Sequence, residues 1–441
     1  MDKFVITGGK PLKGTVTVAG AKNAALKALV AACMTEEKVV LHNVPLIADL
    51  FVMIDIMKEL GADVNLEGHT VTIEMRKFAH SSIPLDKAAL ARTSSMFIAP
   101  LLARTGEAII PNPGGCRLGA RPIDRTIEGV EKLDVSITYH SEDGYFHAKT
   151  KGLQATRFHF PKNTHTGTET MILSSVLAQG KTVLENAAEE PEIDDLIGLL
   201  NAMGADIKRT AYRQITIVGV EKLHGAEFAI SPDRIEVATF AIAAVITGGD
   251  IFVKDAQKAQ ITAFMKKYEQ TGAGYEKKED GIRFFANGTL HPTDVTTGIH
   301  PGFLTDWQAP WAVLMTQADG VSTIHETVFE NKLGYVADLT RMGADMELFN
   351  PEVSDRESVY NFNLEDDKPE YFHAVKITGP TTLHDAVMTT LDIRAGAAVV
   401  LAALAAKGTS TIYGVEKLDR GYEKFEERLT ALGANIKRME D

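Results

Sequence analysis

Apolar residues recur along this chain with two alternating periods. Stretches with apolar residues three and four apart predict helices, and short runs with every second residue apolar predict half-buried strands. One phrase marks the passage from the first period to the second: Leu60-Gly61-Ala62, Met203-Gly204-Ala205, Thr271-Gly272-Ala273, Met342-Gly343-Ala344 and Leu432-Gly433-Ala434, with Leu133-Asp134-Val135 as a degenerate sixth copy. A Gly just past the last apolar helical residue is a C-terminal stop, and alternating runs such as Val71-Thr72-Ile73 and Ile215-Thr216-Ile217-Val218 follow it. The copies lie roughly 70 residues apart, with a last interval of about 90.

A second phrase recurs half a repeat earlier: a small-residue helix, a short turn, then a β-branched strand. Its copies are Ala28–Asn43, Phe97–Asn112, Ser174–Asn186, Ala241–Asp255, Leu314–Glu326 and Val400–Gly414. Each repeat therefore reads strand–helix–strand–helix–strand–strand, an α/β fold of six βαβαββ repeats. Helices rich in Ala, Val and Leu all round are buried on every side, which predicts helices inside and sheets outside. A tandem solenoid would need units of about 20–50 residues and polar capping ends, which this chain lacks. The acidic, Asn-rich stretch 349–372 lengthens the last interval and reads as an inserted surface loop or hairpin.

Length and charge narrow the picture further. A chain of 441 residues is too long for one ordinary core, so two domains of about 200 residues are expected. The apolar runs are too short for a bilayer, and the start carries no export signal, so a cytoplasmic protein without a membrane partner is expected. A net charge of −13 argues against a nucleic-acid surface, so an anionic substrate must meet a local cluster of cations. Two cysteines make no disulfide framework.

The candidate chemistry sits at equivalent places in the repeats. Just before each buried helix stand Lys22-Asn23, Arg92-Thr93, Thr166-Gly167-Thr168-Glu169, Ser231-Pro232-Asp233-Arg234, Thr305-Asp306 and Asp392-Ile393-Arg394. Helix N-termini favour anions through free N–H groups and the helix dipole. Thr166, Ser231 and Thr305 equally suit simple N-caps. Lys22, Arg92, Arg234 and Arg394 oppose the dipole there, which a bound anion explains better than stability does. After the second repeat's central strand comes a Gly-rich loop, Asn112 to Asp124, that presents Cys116 beside Arg117 and Arg121, cations that lower a thiol pKa and suit it to act as acid or nucleophile. Cys33, on a buried Ala-rich helix, reads as a core residue. Gly180-Lys181-Thr182 is not a P-loop, because Ser175 stands where its first Gly belongs. His325-Glu326 lacks a second His, and the 13 histidines show no ligand spacing, so no metal is expected. No Gly-x-Gly-x-x-Gly follows a strand, so no dinucleotide cofactor is expected either.

Ala19-Gly20-Ala21-Lys22-Asn23-Ala24-Ala25, Pro113-Gly114-Gly115-Cys116 with Gly119-Ala120-Arg121-Pro122, Glu326-Thr327-Val328-Phe329-Glu330-Asn331 and Asp419-Arg420-Gly421-Tyr422-Glu423 resemble signatures of the UDP-N-acetylglucosamine enolpyruvyl transferases. The resemblance spans the whole chain in order. It implies a two-domain inside-out α/β barrel, with residues 22–230 in one domain and 1–21 plus 231–441 in the other. It implies transfer of the enolpyruvyl group of phosphoenolpyruvate to the 3-hydroxyl of UDP-N-acetylglucosamine by addition and elimination, the first committed step of peptidoglycan synthesis, without a cofactor and by a monomer. Lys22, Asn23, Arg121, Arg394 and Arg420 would hold the phosphate and carboxylate of phosphoenolpyruvate. Asn23, Arg92, Asp306 and Val328 would contact the sugar nucleotide, with Arg121, Pro122, Ile123, Asp124 and Arg125 beside the uracil, and Glu330 and Asp392 complete the binding set. Cys116 would protonate the methylene carbon and be the target of fosfomycin, while Asp306 would take the hydroxyl proton. Lys22 and Arg420 would share in catalysis.

The chain departs from this pattern at Lys162-Asn163-Thr164-His165-Thr166-Gly167-Thr168-Glu169-Thr170, where the family has a shorter Val-Gly-Ala-Thr run, at Arg125-Thr126 and at Met96. Two alternatives therefore stand beside the main reading: the same chemistry on a different UDP-sugar, or a catalytically silent ligand-binding relative.

Overall fold

A computed structural model describes residues 2–112, 123–390 and 392–440. They fall into two compact units, one of residues 20–112 and 123–231, the other of residues 2–19 and 232–440.

Among the described residues six sheets carry the repeats, three in each unit. The third repeat shows the plan. Strand Arg157–His159 leads into helix His165–Ser175, strand Lys181–Glu185, helix Pro191–Ala202 and the hairpin Asp206–Ala211 and Gln214–Val218. The first strand lies parallel to Lys181–Glu185, which lies antiparallel to Gln214–Val218. The strand–helix–strand–helix–strand–strand reading thus holds in register. In the second repeat the first strand shrinks to a single bridge between Ser82 and Ile109, beside a three-stranded sheet.

Three repeats are completed by remote chain. Strand Glu227–Ala229 supplies the parallel edge beside Val39–His42 in the first unit. In the second unit, Lys13–Thr17 lies parallel to Asp250–Lys254, and Lys3–Thr7 sits between Thr409–Tyr413 and Asn435–Met439. A buried ion pair fastens this N-terminal segment: Arg428 grips both oxygens of Glu236 at 2.8 and 2.9 Å. Glu236 also accepts the N–H of Ala19 at 3.0 Å, and Arg428 donates to the Thr17 carbonyl at 2.6 Å.

The core of each unit is helical. In the second unit, helices Arg234–Ile246, Gln308–Met315 and Ile393–Ala405 pack on one another and are buried over nearly their whole length. The sheets turn one row of each strand onto them, as in Lys3–Thr7, where Phe4 and Ile6 are buried and their neighbours are not. The Gly stops behave as expected. Gly61 has φ +104°, and a Cβ there would lie 2.8 Å from the Lys77 carbonyl oxygen. The degenerate copy keeps the same turn, because Asp134 adopts φ +63°, a region Asp tolerates better than most residues.

Stretch 349–372 joins the paired strands Asp345–Phe349 and Ala374–Gly379, so it is the long connection of a hairpin. It is more than a surface loop. Tyr360, Phe362 and the following His373 are buried with their rings in tilted contact, and the Tyr360 hydroxyl lies 3.2 Å from His325 Nε2.

Candidate active site

The helix starts were expected to carry the chemistry, and the two units build these starts differently. Helix capping falls to Thr164, Asp233 and Asp392, whose side chains accept the free N–H groups of the first turn. Thr166 and Ser231 do not cap. Ser231 gives its hydroxyl to Asp195 at 2.7 Å instead, and Thr305 gives its own to Glu326 at 2.8 Å.

In the first unit, Lys22 opens helix Lys22–Ala32 with its Nζ 2.8 Å from Asp49 Oδ2. Asn23 follows it, half-buried. Arg92 opens the 3-10 turn Arg92–Phe97 that leads into helix Ile98–Thr105, and Ile123 and Asp124 open helix Asp124–Glu131 with Arg125 in its first turn. Cys116, Arg121 and Pro122 lie outside the described residues. Sequence reasoning missed a polar knot inside this unit. Lys27 lies 3.4 Å from Glu169, and His165 lies 3.1 Å from the same carboxylate, close to buried Glu190. Burial pulls the His165 pKa down, but Glu169 by charge and hydrogen bond, then Glu190, outweigh it, and His165 titrates above its ordinary range. This knot is built on the segment where the chain departs from the family pattern.

In the second unit, Asp306 sits in the 3-10 turn Thr305–Trp307. Its Oδ1 faces two cations, Arg394 Nε at 3.3 Å and Lys332 Nζ at 3.9 Å. Arg394 is buried, with its guanidinium 5.4 Å from the Tyr422 ring centroid. Burial disfavours its charge, but Tyr422, Asp306 and Asp233 more than compensate, and its pKa is raised. Its buried Nη1 has no hydrogen-bond partner among the described residues. A fixed, charged donor of this kind suits an anion. Asp392 holds this helix start by accepting the N–H of Arg394 at 2.8 Å and of Ala395 at 3.0 Å. Arg420 ends the turn Val415–Arg420, whose Asp419 is gripped by Arg438.

Glu326 ties the Asp306 turn to the loop that carries Val328 and Glu330. Its Oε2 accepts from Thr305 Oγ1 at 2.8 Å and Gln308 Nε2 at 2.7 Å. Its Oε1 accepts the N–H groups of Val328 at 2.8 Å and Phe329 at 2.9 Å. Tyr335 donates to Gln308 Oε1 behind them. Burial pushes the Glu326 carboxyl up, against the pull of these donors and of Lys332. The sequence offered a signal for Glu326, a lone acid at the end of an apolar strand, but not for its partners. Lys332 has no period to reveal it.

A positioned carboxylate beside fixed cations, in a fold of buried helices ringed by small sheets, invites comparison with known proteins. The profile of the EPSP synthase (3-phosphoshikimate 1-carboxyvinyltransferase) family matches residues 6–429. The chain belongs to that family. This makes it a transferase. It is 43% identical to the UDP-N-acetylglucosamine 1-carboxyvinyltransferase of Acidobacterium capsulatum, over 100% of this chain and 96% of that one. To the protein of the same name from Koribacter versatilis it is 42% identical, over 100% and 97%. Among solved structures it resembles the enolpyruvyl transferase NikO from Streptomyces tendae, with a TM-score of 0.86 and 23% identity over 99% of both chains. It also resembles an EPSP synthase from Acinetobacter baumannii, with a TM-score of 0.75 and 18% identity over 100% of both. These two likenesses establish the enolpyruvyl transferase fold. Among the described residues no helix is long and apolar enough to cross a membrane.

Proposed function

We propose that this enzyme transfers the enolpyruvyl group of phosphoenolpyruvate to the 3-hydroxyl of UDP-N-acetylglucosamine and releases phosphate, in the first committed step of peptidoglycan synthesis. The observation that carries this reading is the pairing of Asp306 with Arg394, whose Nη1 is left for an anion; the names of full-length relatives at 43% and 42% identity supply the acceptor and the carboxyvinyl group transferred. The protein acts as a cytoplasmic monomer on two small molecules.

In the addition step, Asp306 takes the proton of the sugar hydroxyl, whose oxygen bonds to C2 of phosphoenolpyruvate, and Cys116 gives a proton to C3. In the elimination step the roles reverse: the Cys116 thiolate takes a proton back from C3, the C2–C3 double bond re-forms, the C2–O bond to phosphate breaks, and Asp306 returns its proton to the departing phosphate. Arg394, Arg420, Lys22 and Arg121 hold the phosphate and carboxylate, stabilising charge where it develops. Asn23, Arg92, Val328 and Glu330 hold the sugar nucleotide, with Ile123, Asp124 and Arg125 beside the base. Phosphate release on mixing enzyme with both substrates tests the reading. Asp306→Asn should lower kcat by about 10²–10⁴-fold, the usual worth of a general base. Undiminished release by that variant would remove Asp306 from the role.

The polar knot at His165 favours one second reading, acceptance of another UDP-sugar. Competition between UDP-N-acetylglucosamine and related UDP-sugars decides it, and equal rates would end strict specificity.

A further inference from the structure

The histidines lack ligand spacing along the sequence, yet folding gathers two of them with a carboxylate. Strands Ser136–His140 and Tyr145–Lys149 pair antiparallel, with His140 opposite Tyr145 and Thr138 opposite His147. His140 and His147 are therefore diagonal neighbours on one face of the hairpin. Their rings stack with centroids 4.1 Å apart and planes inclined by 23°. Asp143, in the turn, places Oδ2 2.9 Å from His147 Nε2. One ligand atom from each of the three residues lies within 4.8 Å of the others.

We propose that His140, Asp143 and His147 form a binding site for a divalent transition-metal ion of the zinc class. Two imidazoles and one carboxylate are the ligand types such ions take, with water completing a tetrahedron. Magnesium and calcium prefer shells of oxygen and are poorly served here. Bonds of about 2.0–2.1 Å place tetrahedral ligand atoms about 3.3 Å apart, so the three must draw in by about 1.5 Å at most. His140 and Asp143 are exposed and His147 half-exposed, so side-chain rotation supplies that movement. The carboxylate is already oriented, because Asp143 Oδ1 accepts the N–H of Tyr145 at 2.9 Å, the kind of outer contact that steadies metal ligands. Without an ion, the same residues amount to a surface ion pair and a ring stack, which stabilise little.

The position gives the site a consequence. The carbonyl of Gly144, in the same turn, accepts the N–H of Asn112 at 3.0 Å, and Pro111 pairs with Tyr145. Asn112 is the residue before the segment 113–122 that contains Cys116. A bound ion closes the turn that holds the root of that segment.

The test is calorimetric titration of the full-length, chelator-treated protein with Zn²⁺ after alkylation of Cys116, which removes it as a competing ligand. The expected result is one saturable Zn²⁺ site per chain, no saturable heat with Mg²⁺, and at least about tenfold weaker Zn²⁺ binding in both His140→Ala and His147→Ala. Metal-free melting temperatures matching the unsubstituted protein would show that both variants fold. Absence of saturable Zn²⁺ binding, or unchanged affinity in either variant, overturns the proposal.

Discussion

Replacing Glu326 by Gln keeps the shape of the side chain and removes one acceptor face. Four donors converge on the carboxylate: Thr305, Gln308 and the N–H groups of Val328 and Phe329. The amide of Gln offers them one oxygen and an NH₂ group, so two of the four face a donor whichever way it turns. A buried donor left without a partner costs about 1–3 kcal/mol, so the two together cost about 2–6 kcal/mol. That cost falls first on local order in 305–308 and 327–330, because the bond pairs lost are the ones that join those segments. Hydrogen exchange followed by mass spectrometry on a peptide spanning Val328 and Phe329 reads it directly. At a factor of ten per 1.4 kcal/mol, the amides should exchange about 30-fold faster or more. With the Asp306 turn and the Val328 loop no longer tied, KM for UDP-N-acetylglucosamine should rise more than tenfold while KM for phosphoenolpyruvate moves less. Wild-type exchange at Val328 and Phe329 would refute the reasoning, since the carboxylate would then not be what holds the loop.

Two further outcomes follow from burial. Cys33 is fully buried, and its thiol is pushed up to about 12 by burial, against the pull of Arg104. At pH 8 only roughly one part in 10⁴ of it is thiolate, so the folded protein should label at one cysteine with iodoacetamide and at Cys33 only after unfolding. Labelling of Cys33 in the native state would contradict this. Arg428→Ala strands the Glu236 carboxylate, which is only 1% exposed, at a cost of about 3–5 kcal/mol. The melting temperature of the second unit should fall by several degrees, and an unchanged transition would show that the pair does not fasten the N-terminal strands.

What could be read from the chain alone was everything with a local period. The alternation of helical and strand spacing, repeated six times with a Gly or Asp134 at each stop, determined the order of elements and the burial of the small-residue helices, because side-chain direction follows from backbone period. The helix starts were legible too, since caps and first-turn charges sit at fixed offsets. Their partners were not. Asp306 and Arg394 stand 88 residues apart and meet at 3.3 Å only because two helices pack side by side. Asp49 was not foreseen opposite Lys22, nor Glu326 between Thr305 and Gln308, nor His140 beside His147 across a turn. The strand Lys3–Thr7 joins chain more than 400 residues away. Such pairings are settled by packing, in which the whole hydrophobic core chooses one arrangement and the charged groups are carried to wherever their helices and strands come to rest.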